Sequence, residues 1–307
     1  MRKENGANVR TTDGALGRRM GWGTCLAAAC LILSFPSAAV CQEEEAEEAE
    51  EEDSLGLEIE AAFSSIYYFR GDNLFKKDKL MDQNGLASLS VTYALGPFSI
   101  VYWGGFQTNG DNISENIDVG LGAEQDLAVS YSHELPADLA VEVGVLSYMY
   151  PFADEEAAGT AFPVYLDPFV ALSWSGLVDA RMCAWWYLGV QDALKDYRYI
   201  YLNPSIGKEF ELTPVLALGA ELVGGYKIYT SDKDTKNNLL DVLLKIGVTY
   251  TFLEDFYVTP SVSVGWTDLG RVGLDGTWDP EGGVEVTNPG FGDEYIVFGG
   301  LALGWAK

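Results

Sequence analysis

Ionisable side chains recur at alternate positions of segments that are otherwise apolar. Acidic residues predominate among them, with few basic residues to balance them. Side chains that share a parity in a strand share one face, so these groups are predicted to line a common polar interior. The set is Glu58, Glu60, Arg70, Glu142, Asp167, Asp179, Arg181, Glu209, Glu221, Lys227, Asp241 and Lys245. Such an interior is either a solvated channel that favours cations or a closed space filled by a network of ion pairs.

Catalysis is poorly supported by the same residues. The chain has one histidine, His133, and its neighbour Ser132 precedes it directly rather than facing it. A serine-type catalytic site needs a nucleophile and a base that face each other. Asp232 and Asp234 resemble part of a calcium loop but lack its glycine and terminal glutamate. We therefore expect no enzymatic activity, no metal site and no cofactor.

The segment 163–188 shows which elements position these groups. Val164, Leu166, Val170, Leu172 and Trp174 occupy one parity, and residues of mixed polarity occupy the other. A second run repeats the pattern after a short glycine-containing turn. This period of two predicts a β-hairpin. Its strands have the roughly 9–11 residues that cross a bilayer when tilted.

The alternation continues along the chain, and short and long connections alternate between the strands. Twelve strands are predicted at 55–69, 85–94, 97–107, 123–133, 138–149, 163–174, 178–188, 199–212, 215–228, 239–252, 256–267 and 294–305. A soluble sandwich has Greek-key crossings and does not sort its loops by length. Short turns at one end and long loops at the other are typical of a transmembrane up-and-down antiparallel β-barrel.

Three prolines and one lysine oppose this regular pattern. Pro168, Pro204 and Pro260 fall inside predicted strands, where each removes a backbone donor, so bulges or shortened strands are expected there. Lys208 falls on the apolar parity, which a barrel tolerates near a membrane interface.

The N-terminal region predicts export. Residues 1–41 combine basic residues, an apolar run and a small-residue cleavage region, as signal peptides do, with Met20 as an alternative start. Residues 42–54 are almost wholly acidic and predict a disordered tether, which leaves 55–307 as the barrel. The net charge of −27 argues against nucleic acid as a partner.

Several short motifs carry a family resemblance. They are Ser65-Ile66-Tyr67-Tyr68-Phe69-Arg70-Gly71, Glu124-Gln125-Asp126-Leu127, Tyr131-Ser132 and Gly144-Val145-Leu146-Ser147-Tyr148-Met149-Tyr150-Pro151. In this order they resemble the TorF-type porin family of Gram-negative outer membranes, over roughly residues 60–230. The resemblance implies an outer-membrane barrel with a pore-like role. The C-terminal Trp305-Ala306-Lys307 departs from the terminal aromatic residue typical of such barrels.

Together, these patterns predict a twelve-stranded barrel in the outer membrane of a Gram-negative-type bacterium. Its expected role is a narrow, passive, cation-favouring channel for small solutes. Its expected partners are membrane lipid, lipopolysaccharide and the barrel-assembly machinery. The alternative is a closed barrel that acts as a surface binding or adhesion scaffold through its extracellular loops, of which 268–293 is the longest.

Overall fold

The computed structural model describes residues 56–74, 85–108, 124–152, 162–194, 198–230, 239–253, 255–267 and 294–307. The predicted signal peptide, the tether at 42–54 and the loop at 268–293 lie outside these ranges. Within them, no helix is both long and apolar enough to cross a membrane.

The described elements are strands apart from a 3₁₀ turn at Asp192–Leu194. The strands are β1 (Leu57–Ser64), β2 (Tyr68–Phe69), β3 (Asp72–Asn73), β4 (Leu86–Leu95), β5 (Phe98–Gln107), β6 (Glu124–Leu135), β7 (Leu139–Met149), β8 (Val164–Ser175), β9 (Asp179–Gly189), β10 (Arg198–Thr213), β11 (Leu216–Tyr229), β12 (Leu239–Phe252), β13 (Phe256–Thr267) and β14 (Glu294–Ala306). All except β2 and β3 belong to one sheet.

That sheet is a closed barrel of twelve strands. Each strand pairs antiparallel with its neighbour in sequence, and β1 closes the ring by pairing with both β4 and β14. Closure gives every strand two neighbours and leaves no exposed sheet edge. The predicted fold is therefore confirmed, and most strand ends agree with the prediction to within two residues.

The period of two sorts side chains between the two faces of the wall. In β12, the side chains of Leu240, Val242 and Leu244 are exposed on the outside, whereas Asp241 and Lys245 are buried inside. The other strands repeat this arrangement, so the barrel presents a continuous apolar exterior. An apolar exterior around a polar interior is the pattern of a barrel embedded in lipid.

The expectation of bulges or shortened strands at the prolines is wrong. On both sides of Pro168, Pro204 and Pro260 the strands continue in the same register, although pairing with one neighbour lapses locally. Beside Pro204, the Asn203 side chain donates a hydrogen bond of 2.7 Å to the carbonyl oxygen of Gly224, on the neighbouring strand. This bond replaces the backbone donor that Pro204 lacks, so the barrel keeps its register without a bulge.

The first strand is also shorter than expected. The prediction extended it to residue 69, but β1 ends at Ser64. The next residues leave the wall and form the separate two-stranded hairpin β2–β3. The alternation of Ile66, Tyr68 and Arg70 is therefore that of a hairpin packed inside the barrel, because these side chains are buried rather than facing lipid.

The bond beside Pro204 leads to a prediction. Asn203→Ala should destabilise the barrel by about 1–3 kcal/mol, because it leaves the Gly224 carbonyl without its donor in a buried position. The measurement is equilibrium urea unfolding of the refolded protein in detergent or lipid. The control is the same substitution in a Pro204→Ala background, where a restored backbone N–H can reach that carbonyl and should reduce the cost. An equal cost in both backgrounds would contradict this role for Asn203.

Candidate functional site

The hairpin β2–β3 is the most unusual feature of the barrel interior. Its strands pair Tyr68 with Asn73 and Phe69 with Asp72, so Arg70 and Gly71 form a two-residue turn. The φ angles of these two residues are 48° and 88°, which is a type I′ turn. Glycine adopts such angles freely, whereas a residue with a Cβ atom pays roughly 1–2 kcal/mol in the left-handed region. An arginine in this position indicates that its side chain has a role that outweighs the strain.

The hairpin lies across the bore of the barrel. Tyr67 Oη donates to Glu124 Oε2 on β6 at 2.9 Å, and Tyr68 Oη donates to Asp241 Oδ1 on β12 at 3.4 Å. The Tyr68 ring also stacks on Phe298 of β14, with ring centroids 5.7 Å apart. One short hairpin therefore contacts widely separated strands of the wall, near the ends that carry the long connections.

At its tip, the Arg70 guanidinium is bound to the opposite wall. It donates to Tyr199 Oη at 3.0 Å and to Tyr148 Oη at 3.2 Å, and it forms an ion pair with Asp167. Tyr148 Oη in turn donates to Asp167 Oδ2 at 2.9 Å. The Arg70 and Asp167 side chains are 4% and 0% exposed, so each charge depends on the other for compensation.

Aromatic rings surround the same guanidinium. Its central carbon lies 4.8–5.9 Å from five ring centroids, which belong to Phe69, Trp185, Tyr187, Tyr199 and Tyr201. Cations at this distance from a ring face are attracted by its quadrupole. Only Phe69 belongs to the hairpin, and the other four rings project from β9 and β10 of the wall. We call this set, together with Asp167 and Tyr148, the Arg70 cage.

Carboxylate oxygens beside the cage are left without donors. Among the described residues, both side-chain oxygens of Asp126 and Oδ1 of Asp167 are buried and have no hydrogen-bond partner. Asp126 is 1% exposed and lies on the same face of β6 as Glu124. The cage and the adjacent Asp126, which is paired with Tyr148 across β6 and β7, thus hold acceptors that the Arg70 side chain does not satisfy.

The Tyr67 phenol is held in its neutral form. Burial raises its pKa well above the ordinary value, and the adjacent charge of Glu124 raises it further. A neutral phenol keeps its proton available, so Tyr67 remains a donor to Glu124 across the physiological pH range.

The remaining predicted interior residues fall into groups around this site. Arg181 pairs with Glu142 at 2.9 Å, and Lys245 pairs with Glu221 at 3.4 Å. Lys227 lies 4.9 Å from the centroid of the Tyr199 ring. Together, these charged groups extend along the interior from the cage toward the end of the barrel that has the short turns.

Three further groups complete the predicted set. Tyr257 Oη lies 2.6 Å from Glu58 Oε1 and 2.9 Å from Glu60 Oε2. Asp241 accepts a hydrogen bond from Tyr201 Oη at 3.1 Å, in addition to the one from Tyr68 Oη.

Asp179 and Glu209 lie toward the short turns on the inward parity. The Asp179 side chain is about half exposed, and its carboxylate lies 3.6 Å from the Lys208 ammonium. Lys208 also donates to the Gly176 carbonyl in the β8–β9 turn, which places it at the edge of the apolar band as expected.

Sequence reasoning missed part of the site. Glu124 and Asp126 face the interior from β6, whereas Leu127 and Val129 of the same strand face outward. Parity alone could therefore have identified the two acidic residues. The prediction counted Arg70 among the interior residues, directly after a wall strand at 55–69. The structure returns it into the bore, because the chain reverses at a turn that strand periodicity does not reveal.

Catalytic and metal chemistry have little support in the described part of the chain. His133 has the outward parity of β6, whereas Ser132 and Glu134 have the inward parity, so the barrel wall separates these groups. No group of three or more His, Cys, Asp or Glu residues in the described ranges is arranged to hold a metal ion.

Comparison with known proteins adds only a general likeness. No protein-family model and no curated protein matches the chain. Among solved structures, it is similar to the KdgM porin (TM-score 0.46, 10% identity, 81% of this chain and 99% of that one). It is similar to the NanC porin (0.43, 11%, 82% and 99%) and to LpxR from Salmonella typhimurium (0.43, 9%, 81% and 100%). Likenesses this distant carry no argument about function, and the resemblance to TorF-type porins stays a prediction.

The buried ion pair at the hairpin tip can be tested by its effect on stability. Asp167→Asn should destabilise the protein by about 3–5 kcal/mol, because it leaves the Arg70 charge buried without a counter-ion. Urea unfolding measures the cost. Asp179→Asn is the matched control, since its half-exposed side chain should change stability by less than about 0.5 kcal/mol. Equal effects of the two substitutions would contradict the importance of the pair.

Proposed function

We propose that this chain forms an outer-membrane channel for small solutes that favours cations and is narrowed by the β2–β3 hairpin. The proposal rests on one observation, the excess of carboxylates on the inner wall. In the described part of the barrel the inward-facing basic residues are Arg70, Arg181, Lys227 and Lys245, and the inward-facing acidic residues outnumber them.

Most of the inward-facing basic residues are compensated by ion pairs. Arg70, Arg181 and Lys245 are each paired with a carboxylate, so their positive charges are locally compensated. Asp179 adds negative charge toward the short turns, where its side chain is about half exposed. This excess of carboxylates supports a negative field along the bore, and a negative low-dielectric passage concentrates cations.

The setting of this channel is part of the proposal. The apolar exterior favours a lipid bilayer, and strands of 8–16 residues are long enough to cross one when tilted. An export signal at 1–41 would deliver the chain to the barrel-assembly machinery of a Gram-negative-type cell. The short turns and both ends of the barrel domain would then face the periplasm, with the long connections toward lipopolysaccharide.

Selectivity provides the direct test. In planar bilayers the wild-type protein should pass current with a cation preference, measured as the reversal potential across a salt gradient. Glu221→Gln should lower the cation-to-anion permeability ratio about two- to threefold, because a unit charge ~7 Å from an ion in water is worth about 0.6 kcal/mol. Asp192→Asn removes the same charge from a connection outside the wall and should leave the ratio unchanged. An anion preference, or the same ratio in all three proteins, would overturn the cation-favouring role.

The narrowing is tested separately by removing the hairpin. A variant in which a short Gly-Ser linker replaces residues 66–73 should show a larger single-channel conductance than wild type, because its bore no longer contains the buried hairpin. Heat-modifiable migration on gels and far-UV circular dichroism would confirm that the barrel is intact. Unchanged conductance in an intact barrel would show that the hairpin does not limit the flow.

A closed barrel that serves as a binding or adhesion scaffold is the second candidate. The filled interior at the hairpin level favours it, since large side chains such as Tyr68, Tyr148 and Trp185 are fully buried there. This candidate predicts no current from wild type, and loss of surface binding when residues 268–293 are deleted. Surface binding that survives this deletion would remove its support.

A further inference from the structure

The Arg70 cage has the composition of a receptor for a planar cation. Nearly all its groups belong to the barrel wall: four aromatic rings, the Asp167 carboxylate and the hydroxyl groups of Tyr148 and Tyr199. The hairpin contributes Phe69 and the cation itself. The wall therefore carries a complete guanidinium site, and Arg70 is its occupant in this structure.

The hairpin is attached to the wall apart from the cage, by the hydrogen bonds of Tyr67 to Glu124 and of Tyr68 to Asp241. The hairpin consists of two residue pairs, and its backbone continues through Ser65, whose N–H donates to the Gly299 carbonyl at 2.9 Å. A competing cation therefore has to displace one side chain rather than unfold a strand.

The cage also has capacity beyond one guanidinium. Both oxygens of Asp126 and Oδ1 of Asp167 are buried acceptors without donors among the described residues. A ligand with a guanidinium group and additional N–H donors would satisfy them, and a buried acceptor that gains a donor is stabilised.

We propose that the Arg70 cage binds guanidinium-bearing solutes, which compete with the Arg70 side chain for the same rings and carboxylates. The channel would then bind one chemical class of solute, and the Arg70 side chain of the hairpin would be displaced when that solute binds. Naming a solute class rests on the proposed function. The binding itself does not, because the cage exists whether or not the barrel conducts.

The test is chemical rescue of a variant that empties the cage. Arg70→Asn keeps the turn, since Asn-Gly is the preferred pair for a type I′ turn, and removes the guanidinium. Isothermal titration of the detergent-solubilised protein with methylguanidinium and agmatine should show binding at least about tenfold tighter than to wild type, as loss or gain of a charge-assisted contact implies. Methylammonium at equal ionic strength is the control ligand and should bind more weakly than methylguanidinium.

A second substitution locates the bound ligand. Asp167→Asn in the Arg70→Asn background should weaken methylguanidinium binding at least about tenfold, because the ligand loses its counter-ion. Asp192→Asn in the same background removes a charge from the β9–β10 connection outside the wall and should leave the affinity unchanged. Equal affinities of wild type and Arg70→Asn, or no effect of Asp167→Asn, would overturn the site.

If Arg70→Asn does not fold, Arg70→Lys provides the same test. It keeps the positive charge but lacks the planar fork that matches the cage, so methylguanidinium should still bind it more tightly than wild type. Equal binding would overturn the proposal. Binding without conductance would refute the channel alone, and conductance without guanidinium binding would refute this site alone.

Discussion

Closure of the backbone ladder is the constraint on which the rest of the structure depends. A polypeptide in lipid has no water to satisfy its peptide groups, so each strand must pair on both sides. The pairing of β1 with β4 and β14 meets this requirement and fixes the register of every strand between them. Once the register is fixed, the period of two assigns each side chain to lipid or to the interior.

The same constraint explains how the wall tolerates its prolines. Pro204 removes a donor from the ladder, and a bulge would have shifted the register of all later residues. Asn203 supplies the missing donor to Gly224 from its side chain, so β10 keeps the same register with β11 on both sides of Pro204. A polar residue that faces the interior can thus repair the wall as well as line the bore.

Enclosure in a narrow barrel makes the interior charges depend on one another. Away from bulk water, the Arg70 and Asp167 charges cannot be solvated separately, and each determines the position of the other. Aromatic rings add attraction for a cation without adding net charge. The resulting cage combines hydrogen-bond acceptors, a counter-ion and ring faces around one planar group, which is the basis for the guanidinium site.

The sequence by itself determined the barrel, its strand number, the outward apolar face and most of the inward ionisable residues. These features follow from local periodicity and loop length, which can be read from adjacent residues of the sequence. Tertiary structure decided the path of residues 65–74, because the alternation of Tyr68 and Arg70 fits a wall strand as well as a buried hairpin. It also decided which charges meet. Arg70 and Asp167 are 97 residues apart in the chain, and only closure of the ring brings their strands and loops to the same side of the bore.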